Sequence, residues 1–428
     1  MSTTSAGIPW YVWALMTVIC WGTYGVCMHT GSASMKNPEH GRIMAFLWVG
    51  LAYFFTAVIA PIIILKLKGG PIDFWAYPAK GWQWSLIAGT LGAIGALAAF
   101  LIVAFYSVVA GWVLYYVSVM GMDLVQAIVE GDPLRGALAG ESREQIQQRL
   151  GDMFANPLLL IVVHFLFMGL TFYIVARGVS SGIEKAATYL MPMFFVLLVG
   201  LVLYGAIEGD IGQAAAFLFT PDWSKLTPQV MNSALGQALF SLSLGVAGLI
   251  TYGSYIKEGS GLGPTSALIA VADTCVALLA GLMIFPIVFA VGLDPAAGPT
   301  LVFQTLPFAF QTMPGGALFG FLFFVLILVA AVTSSISLLE VPTAWGIGER
   351  GWSRPKSALI FGGGAFLMGI ACLLGYNVWA DVRPLGFWSL FADTDIMDTV
   401  DGFTGKVMLP VGALLSILFF FLFRGIFS

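Results

Sequence analysis

Charged residues are scarce in this chain of 428 residues: together they make up 9% of it, whereas hydrophobic residues make up 59%. Soluble domains carry about 25% charged residues, so most of the surface of this protein must face lipid rather than water. The apolar segments are long enough to cross a bilayer as helices, and none shows the alternating pattern of a membrane β-strand. The composition therefore predicts an all-α polytopic protein of the lipid bilayer.

Cysteine and histidine are also rare. The four cysteines lie in apolar segments without CxxC spacing, which predicts small buried side chains and neither a disulfide nor a metal centre. No Ser/His/Asp set is apparent, so we expect no enzymatic activity, and the lack of a basic run argues against a nucleic-acid partner. Of the three histidines only His164 lies within an apolar span, where it is either functional or a packing residue.

Ten apolar stretches predict ten membrane-spanning helices. The third is too long for a perpendicular crossing, so it should tilt or project beyond the bilayer. The polar loop at 121–156 is expected to be helical from Glu141 to Leu150. Basic residues in the even-numbered loops indicate a cytoplasmic N-terminus, although Lys36 and Arg42 in the first loop oppose this orientation. The predicted spans are 9–29, 43–66, 83–120, 157–177, 183–207, 229–256, 265–292, 315–347, 357–376 and 404–427.

Three spans carry polar groups at membrane depth. The sixth reads GQALFSLSLG at 236–245, and this run of serine and glycine predicts a break in the helix that exposes backbone groups to ligands. The seventh contains Asp273, and an ionisable residue inside a membrane indicates a functional site. The eighth contains Ala330, Thr333, Ser334 and Ser335 at its centre, which form either a helix-packing face or a ligand site.

Several short motifs follow one another from residue 95 onward. They are FYSVVAGW at 105–112, RG at 177–178, GIEK at 182–185, MP at 191–192, TPD at 220–222, SLG at 243–245, TY at 251–252, QTLP at 304–307 and VTSSIS at 332–337. In kind and order these motifs resemble those of the neurotransmitter:sodium symporter family, bacterial branch, and the resemblance covers about three-quarters of the chain. It implies two inverted five-helix repeats around a site at the middle of the membrane.

This resemblance also implies roles for individual residues. Ser241 and Asp273 resemble ligands of a first sodium site, and Ala330, Thr333 and Ser334 resemble half of a second. Asp401 resembles an outer-gate carboxylate and Tyr255 an inner-gate residue. The residues implied in substrate binding are Tyr106, which would hold the substrate carboxylate, and Ile102, Phe240, Ser243, Val246 and Leu338, which would line the side-chain pocket.

The N-terminal part departs from the family. Residues 1–95 lack the glycine-rich motif followed by Asn, Trp, Arg, Phe and Pro that supplies the family's other sodium and substrate ligands. Instead, WGTYG at 21–25, VGLAYF at 49–54 and LGAIG at 91–95 weakly resemble the start of drug/metabolite-type transporters. Either this part comes from a second transporter gene, or the first two spans are divergent replacements. We expect two regions, 1–95 and 96–428.

The sequence thus predicts an inverted-repeat, sodium-symporter-like helical bundle with an atypical N-terminal part and a broken sixth helix. Its expected function is sodium-dependent symport of an apolar or aromatic amino acid across the bacterial inner membrane, impaired by the missing first-helix motif. Its expected ligands are the amino acid and Na⁺, the coupling ion, with no other cofactor. The alternatives are a fused or truncated remnant that does not transport and a drug/metabolite-type carrier.

Overall fold

A computed structural model of the protein describes residues 79–253, 255, 262–293, 295, 301–388 and 391–414. The first two predicted spans, at 9–29 and 43–66, lie outside these residues. Six helices of the described part are long and apolar enough to cross a membrane. All contacts reported below lie within one compact unit, formed by the described residues of Thr90–Ala344 and Arg354–Ser428.

The described residues form a succession of α-helices. Shorter π-helical turns occur at Val179–Glu184, Leu301–Thr305 and Thr404–Met408, and the last leads into a helix at 409–414. The α-helices are α1 (Ala79–Glu130), α2 (Arg143–Ala155), α3 (Pro157–Ala176), α4 (Lys185–Glu208), α5 (Ile211–Phe219), α6 (Pro228–Ser241), α7 (Gly248–Gly253), α8 (Leu262–Ala290), α9 (Leu306–Thr312), α10 (Gly316–Arg350), α11 (Arg354–Leu374) and α12 (Ile396–Phe403).

Two predicted elements differ clearly in their bounds from the helices of the structure. The third span does not end at residue 120, because α1 continues to Glu130 and stops only where Gly131 adopts a left-handed conformation (φ 73°). The helix predicted from Glu141 to Leu150 instead covers Arg143–Ala155. It starts there because Ser142 caps it: Ser142 Oγ accepts the Gln145 N–H, and the Gln145 side chain accepts the Ser142 N–H at 2.7 Å.

The loop after α1 is held by a buried ion pair. Asp123 on α1 accepts hydrogen bonds from Arg135 Nη2 at 3.1 Å and from the backbone N–H of Leu138 at 2.8 Å. Arg135 also contacts Glu130 at 3.0 Å. Because Asp123 is buried, these donors compensate a charge that would otherwise be costly. The loop therefore folds back onto the end of α1.

An aromatic cluster joins α1 to α10. Trp112 and Tyr116 on α1 pack against Phe303, with ring centroids 5.8 and 5.3 Å apart. Tyr116 also stacks on Phe324 of α10 at 5.0 Å. Large rings bury much apolar area, and these contacts fix α1 against α10. Outside this centre, α8 packs along α4 and α5, and α11 packs along α3.

The predicted break in the sixth span is confirmed. Helix α6 ends at Ser241 and α7 begins at Gly248, so the bounds 229–256 enclose two helices rather than one. Between them the chain takes left-handed conformations at Ser243 (φ 53°), Gly245 (φ 90°) and Ala247 (φ 57°). Such conformations cost L-residues about 1–2 kcal/mol each, so neighbouring elements must hold this segment in place.

Two close backbone approaches hold the broken segment. A Cβ on Gly95 of α1 would lie 2.7 Å from the Ala247 Cβ, and a Cβ on Gly412 would lie 2.7 Å from the Gly245 carbonyl oxygen. Real Cβ atoms do not approach other heavy atoms this closely, so only glycine fits at 95 and 412. The break is thus enclosed by α1 on one side and the last helix on the other.

We predict that Gly95→Ala lowers the free energy of unfolding by about 1–3 kcal/mol, the usual cost of overpacking. Ala247→Gly should partly restore stability in the double variant, because it removes the overlapping methyl group and the left-handed strain. The measurement is thermal unfolding of the purified protein in detergent.

Gly169→Ala on α3 is the matched control, because a Cβ there meets no atom within 4 Å. It should leave stability unchanged or raise it. If Gly95→Ala unfolds at the same temperature as Gly169→Ala, the close approach of α1 to the break does not exist.

Candidate functional site

A cavity of about 460 Å³ lies beside the break in the sixth span. Helices α1, α6, α8 and α10 contribute to its wall, together with the broken segment itself. Ten of the residues that the sequence singled out line it: Ile102, Tyr106, Phe240, Ser241, Ser243, Val246, Asp273, Thr333, Ser334 and Leu338. Ala330 lies one turn before Ser334 on α10 but is not among the lining residues.

The last residue of α6 meets the carboxylate of α8 at this cavity. Ser241 Oγ donates a hydrogen bond to Asp273 Oδ2 at 2.9 Å, as expected for two groups predicted to share a site. The hydroxyl keeps its lone pairs, and the carboxylate keeps most of its acceptor capacity. The C-terminal end of α6 adds partial negative charge nearby. The site therefore presents one hydroxyl ligand, one carboxylate ligand and a negative potential together. This arrangement favours a hard cation.

Helix α10 contributes a second set of hydroxyl groups. Thr333 Oγ1 donates to the carbonyl of Ala330 at 2.9 Å, which turns the lone pairs of the hydroxyl away from the helix backbone. Ser334 also lines the cavity, as does Tyr106 of α1. Ser335, by contrast, is fully buried. The hydroxyl groups of Thr333 and Ser334 and the Tyr106 phenol thus belong to residues that share one cavity.

The remaining wall is apolar. Ile102 on α1, Phe240 on α6, Val246 in the break and Leu338 on α10 come from four different parts of the chain. Among the cavity-lining residues of the described part, Asp273 is the only charged one. A ligand whose own charges are met by Asp273 and by backbone groups can therefore place an apolar side chain against this wall.

Sequence reasoning missed the partners of Tyr255. Its hydroxyl donates to Glu340 Oε1 at 2.7 Å, and Glu340 also receives both Arg354 Nη atoms, at 2.7 and 2.8 Å. Arg354 Nη1 reaches the Val175 carbonyl of α3 at 3.3 Å. Glu340 is fully buried on α10. It could have been found by the argument applied to Asp273, because a carboxylate within an apolar span requires a partner.

A further hydrogen bond joins α7 to α10, about one helical turn before Glu340. The Tyr252 hydroxyl on α7 donates to Ser337 Oγ on α10 at 3.1 Å, and both residues line the cavity. Tyr252 and Tyr255 both lie near the end of the broken span. Their partners on α10, Ser337 and Glu340, are three residues apart and therefore lie on the same face of that helix. The second half of the broken helix is therefore tied to α10 by two tyrosine hydroxyls.

Asp401 is not brought to the cavity. It lies on α12, near Asp398 and Lys406. Loss of surrounding water and the negative charge of Asp398 raise the pKa of the Asp401 carboxyl above its ordinary value, against the opposing effect of Lys406. Its assignment as an outer-gate residue thus remains a prediction.

Comparison with known proteins agrees with this architecture. The model of the sodium:neurotransmitter symporter family matches residues 142–373. The sodium-dependent transporter YhdH of Bacillus subtilis (strain 168) is 38% identical over 349 residues, covering 81% of this chain and 72% of that protein. A sodium-dependent transporter of Haemophilus influenzae is 36% identical over 326 residues, covering 76% of this chain and 68% of its own.

A solved structure is similar as well. The crystal structure of MhsT in complex with L-phenylalanine matches with a TM-score of 0.67 and 36% sequence identity, over 87% of this chain and 81% of that chain. The family match covers more than half of the chain, and the fold match covers most of it. The chain therefore belongs to the sodium:neurotransmitter symporter family, whose members are multi-pass membrane transporters that use Na⁺ as the coupling ion.

Proposed function

We propose that this protein couples the entry of Na⁺ to the movement of an apolar or aromatic amino acid across the bacterial inner membrane. The observation that carries the proposal is the Ser241–Asp273 hydrogen bond at the break of the sixth span, beside a cavity whose wall also carries apolar side chains. The relatives named above are sodium-dependent transporters, and MhsT was crystallised with an apolar aromatic amino acid.

In this proposal the cavity binds two sodium ions. Ser241 and Asp273 hold the first through oxygen ligands, and the carbonyl of Ala330 with the hydroxyls of Thr333 and Ser334 holds the second. A sodium ion that leaves water needs replacement oxygens, and hydroxyl, carboxylate and carbonyl groups supply them. The fixed charge of Asp273 balances the first ion, so chloride is not needed as a counter-ion.

The amino acid lies between these groups and the apolar wall. Tyr106 donates its phenol proton to the substrate carboxylate, and Ser243 faces the same cavity from the break. Ile102, Phe240, Val246 and Leu338 offer dispersion contacts to an apolar side chain and no counter-charge to a charged one. Asp401 acts at the outer gate and Tyr255 at the inner gate.

The rate of transport is expected to be low. Residues 1–95, which we propose to form a region separate from 96–428, lack the Asn-Trp-Arg-Phe-Pro motif that supplies further ligands in the family. Each absent oxygen leaves a bound ion less completely compensated for its lost water. This observation favours, as a second candidate, a protein that binds Na⁺ and substrate but moves little of either.

We predict sodium-dependent binding of L-leucine and L-phenylalanine that L-glutamate and L-lysine do not displace. Uptake into proteoliposomes with an inward sodium gradient should be slow compared with binding. The measurements are equilibrium binding and uptake of the radiolabelled amino acids in sodium and in potassium buffer. If glutamate or lysine displaced the bound amino acid more strongly than leucine or phenylalanine does, the apolar substrate would be refuted. Robust concentrative uptake would refute only the expectation of slow transport.

We predict that Asp273→Asn raises the sodium concentration for half-maximal binding at least tenfold, because a charged hydrogen-bonding partner is worth about 1.5–3 kcal/mol. Ser241→Ala should raise it less, by roughly threefold, since a neutral hydroxyl contributes about 0.5–1.5 kcal/mol. Replacing chloride with gluconate should leave the unaltered protein unaffected. The measurement is sodium-dependent L-leucine binding.

Thr274→Val is the matched control, because Thr274 follows Asp273 on α8 and its hydroxyl donates only to the Ala270 carbonyl, at 2.9 Å. It should bind Na⁺ as the unaltered protein does. If Asp273→Asn behaves like Thr274→Val, or if binding stops in gluconate, the first sodium site is wrongly assigned.

We predict that Glu340→Gln lowers the free energy of unfolding by about 3 kcal/mol, because it leaves the Arg354 charge without its buried partner. Arg354→Gln in the same chain should restore much of the loss. Tyr255→Phe keeps the ion pair, so it should cost only about 1 kcal/mol. Thermal unfolding in detergent measures all three changes.

Asp222→Asn provides the comparison, because it breaks an exposed ion pair. The side chain of Asp222 is 50% exposed and that of its partner Lys225 is 82% exposed. Exposed pairs contribute about 0–1 kcal/mol, so little change is expected. Equal effects of Glu340→Gln and Asp222→Asn would mean that the buried cluster does not hold the half-helix.

A further inference from the structure

His164 is a buried polar residue that the proposed transport mechanism does not use. It lies at the middle of α3 with no exposed surface. Its Nε2 is 2.9 Å from Ser107 Oγ on α1, and Ser107 Oγ is 3.1 Å from the Ala104 carbonyl. A serine hydroxyl has one proton, and the carbonyl can only accept it. When Ser107 donates this proton to the Ala104 carbonyl, its oxygen accepts a hydrogen bond from His164 Nε2–H.

The imidazole is enclosed by three helices. A Cβ on Gly369 of α11 would overlap His164 Cε1 and would lie 2.8 Å from its Nε2 and from the Ala104 carbonyl oxygen. A Cβ on Gly111 of α1 would lie 3.1 Å from the His164 backbone nitrogen. Phe366 covers the ring, with centroids 4.8 Å apart. Gly369 thus leaves room for the ring, and Gly111 lets α1 approach the backbone of α3 closely, so His164 is held between α1 and α11.

The residue that His164 holds is adjacent to one that lines the cavity. Ser107 directly follows Tyr106, and successive side chains on a helix are about 100° apart. Ile102 and Tyr106 therefore face the cavity, while Val103, Ser107 and Ala110 are buried on another face of α1. The Tyr106 phenol lines the cavity together with Ser334 of α10. A rotation of α1 that breaks the contact of Ser107 with His164 would also displace this phenol.

We infer that His164 is a positioning residue: through Ser107 it sets the rotation of α1 that aims the Tyr106 hydroxyl at the substrate carboxylate. The inference rests on the proposed function, because it needs Tyr106 to bind substrate. The Nδ1 atom has no hydrogen-bond partner among the described residues, so the ring is anchored by the Nε2–H alone. His164 thereby determines substrate affinity without contacting the substrate or the ions.

The test measures L-leucine and L-phenylalanine binding in sodium buffer for variants at both ends of the hydrogen bond. His164→Leu keeps an apolar side chain of similar size but removes the donor, and it should weaken binding about tenfold. His164→Gln retains an N–H donor at a similar reach and should stay within about threefold of the unaltered protein. Ser107→Ala removes the acceptor and should weaken binding to a similar extent as His164→Leu.

Thr171→Val on the same helix is the control for a purely structural effect. Thr171 is also fully buried, but its hydroxyl donates only to the Phe167 carbonyl of its own helix, at 3.1 Å. Its substitution should leave binding unchanged. Equal weakening by Thr171→Val and His164→Leu would overturn the inference in favour of a general packing role.

A double-mutant cycle with Tyr106 decides the mechanism. Tyr106→Phe should weaken binding by itself, and His164→Leu should add little in that background, because the hydroxyl it positions is already gone. If His164→Leu weakens binding by the same factor in the Tyr106→Phe background as in the unaltered protein, His164 does not act through Tyr106. The inference then fails, whereas the proposed function stands. If Tyr106→Phe binds normally, the proposed substrate contact fails, and the inference fails with it.

Discussion

The interruption of the sixth span between Ser241 and Gly248 is the constraint on which the rest of the structure depends. Backbone groups released from a helix cannot be left facing hydrocarbon, so such a break is tolerated only where protein or a water-filled cavity surrounds it. Here Gly95 and Gly412 allow two helices to approach the broken segment closely. The cavity occupies the remaining side, and this arrangement places the end of α6 opposite the carboxylate of Asp273.

Three groups of polar side chains at membrane depth follow the same rule, because each group connects two or more elements of the bundle. Ser241 with Asp273 joins α6 to α8, and His164 with Ser107 joins α3 to α1. Glu340 connects α10 to Arg354 at the start of α11 and to Tyr255 beyond α7. In lipid a polar group gains most from a partner on a neighbouring helix, because no water competes for it. Any movement of the helices must exchange these partners rather than simply separate them.

Much of the site was predictable because the sequence shows which polar and charged groups would cost free energy if they were placed in a membrane without partners. Asp273 stands out in an apolar run, and the serines and glycines around Ser241 indicate a break. The boundary of α1 was not predictable in the same way, since its polar end remains helical until Gly131. The Glu340 cluster needs a partner from beyond α7 and another from α11, and no local pattern relates them.

The sequence by itself determined that the chain is a helical membrane protein, where most spans of the described part lie, and which residues are too polar to face lipid. These follow from local composition, since transfer to a bilayer depends on each segment's own side chains and length. Only the tertiary structure decided which polar groups meet. Residues as distant in sequence as Ser107 and His164 come together because glycines at 111 and 369 allow three helices to approach closely. That approach depends on packing between segments, which the hydropathy of any one segment does not encode.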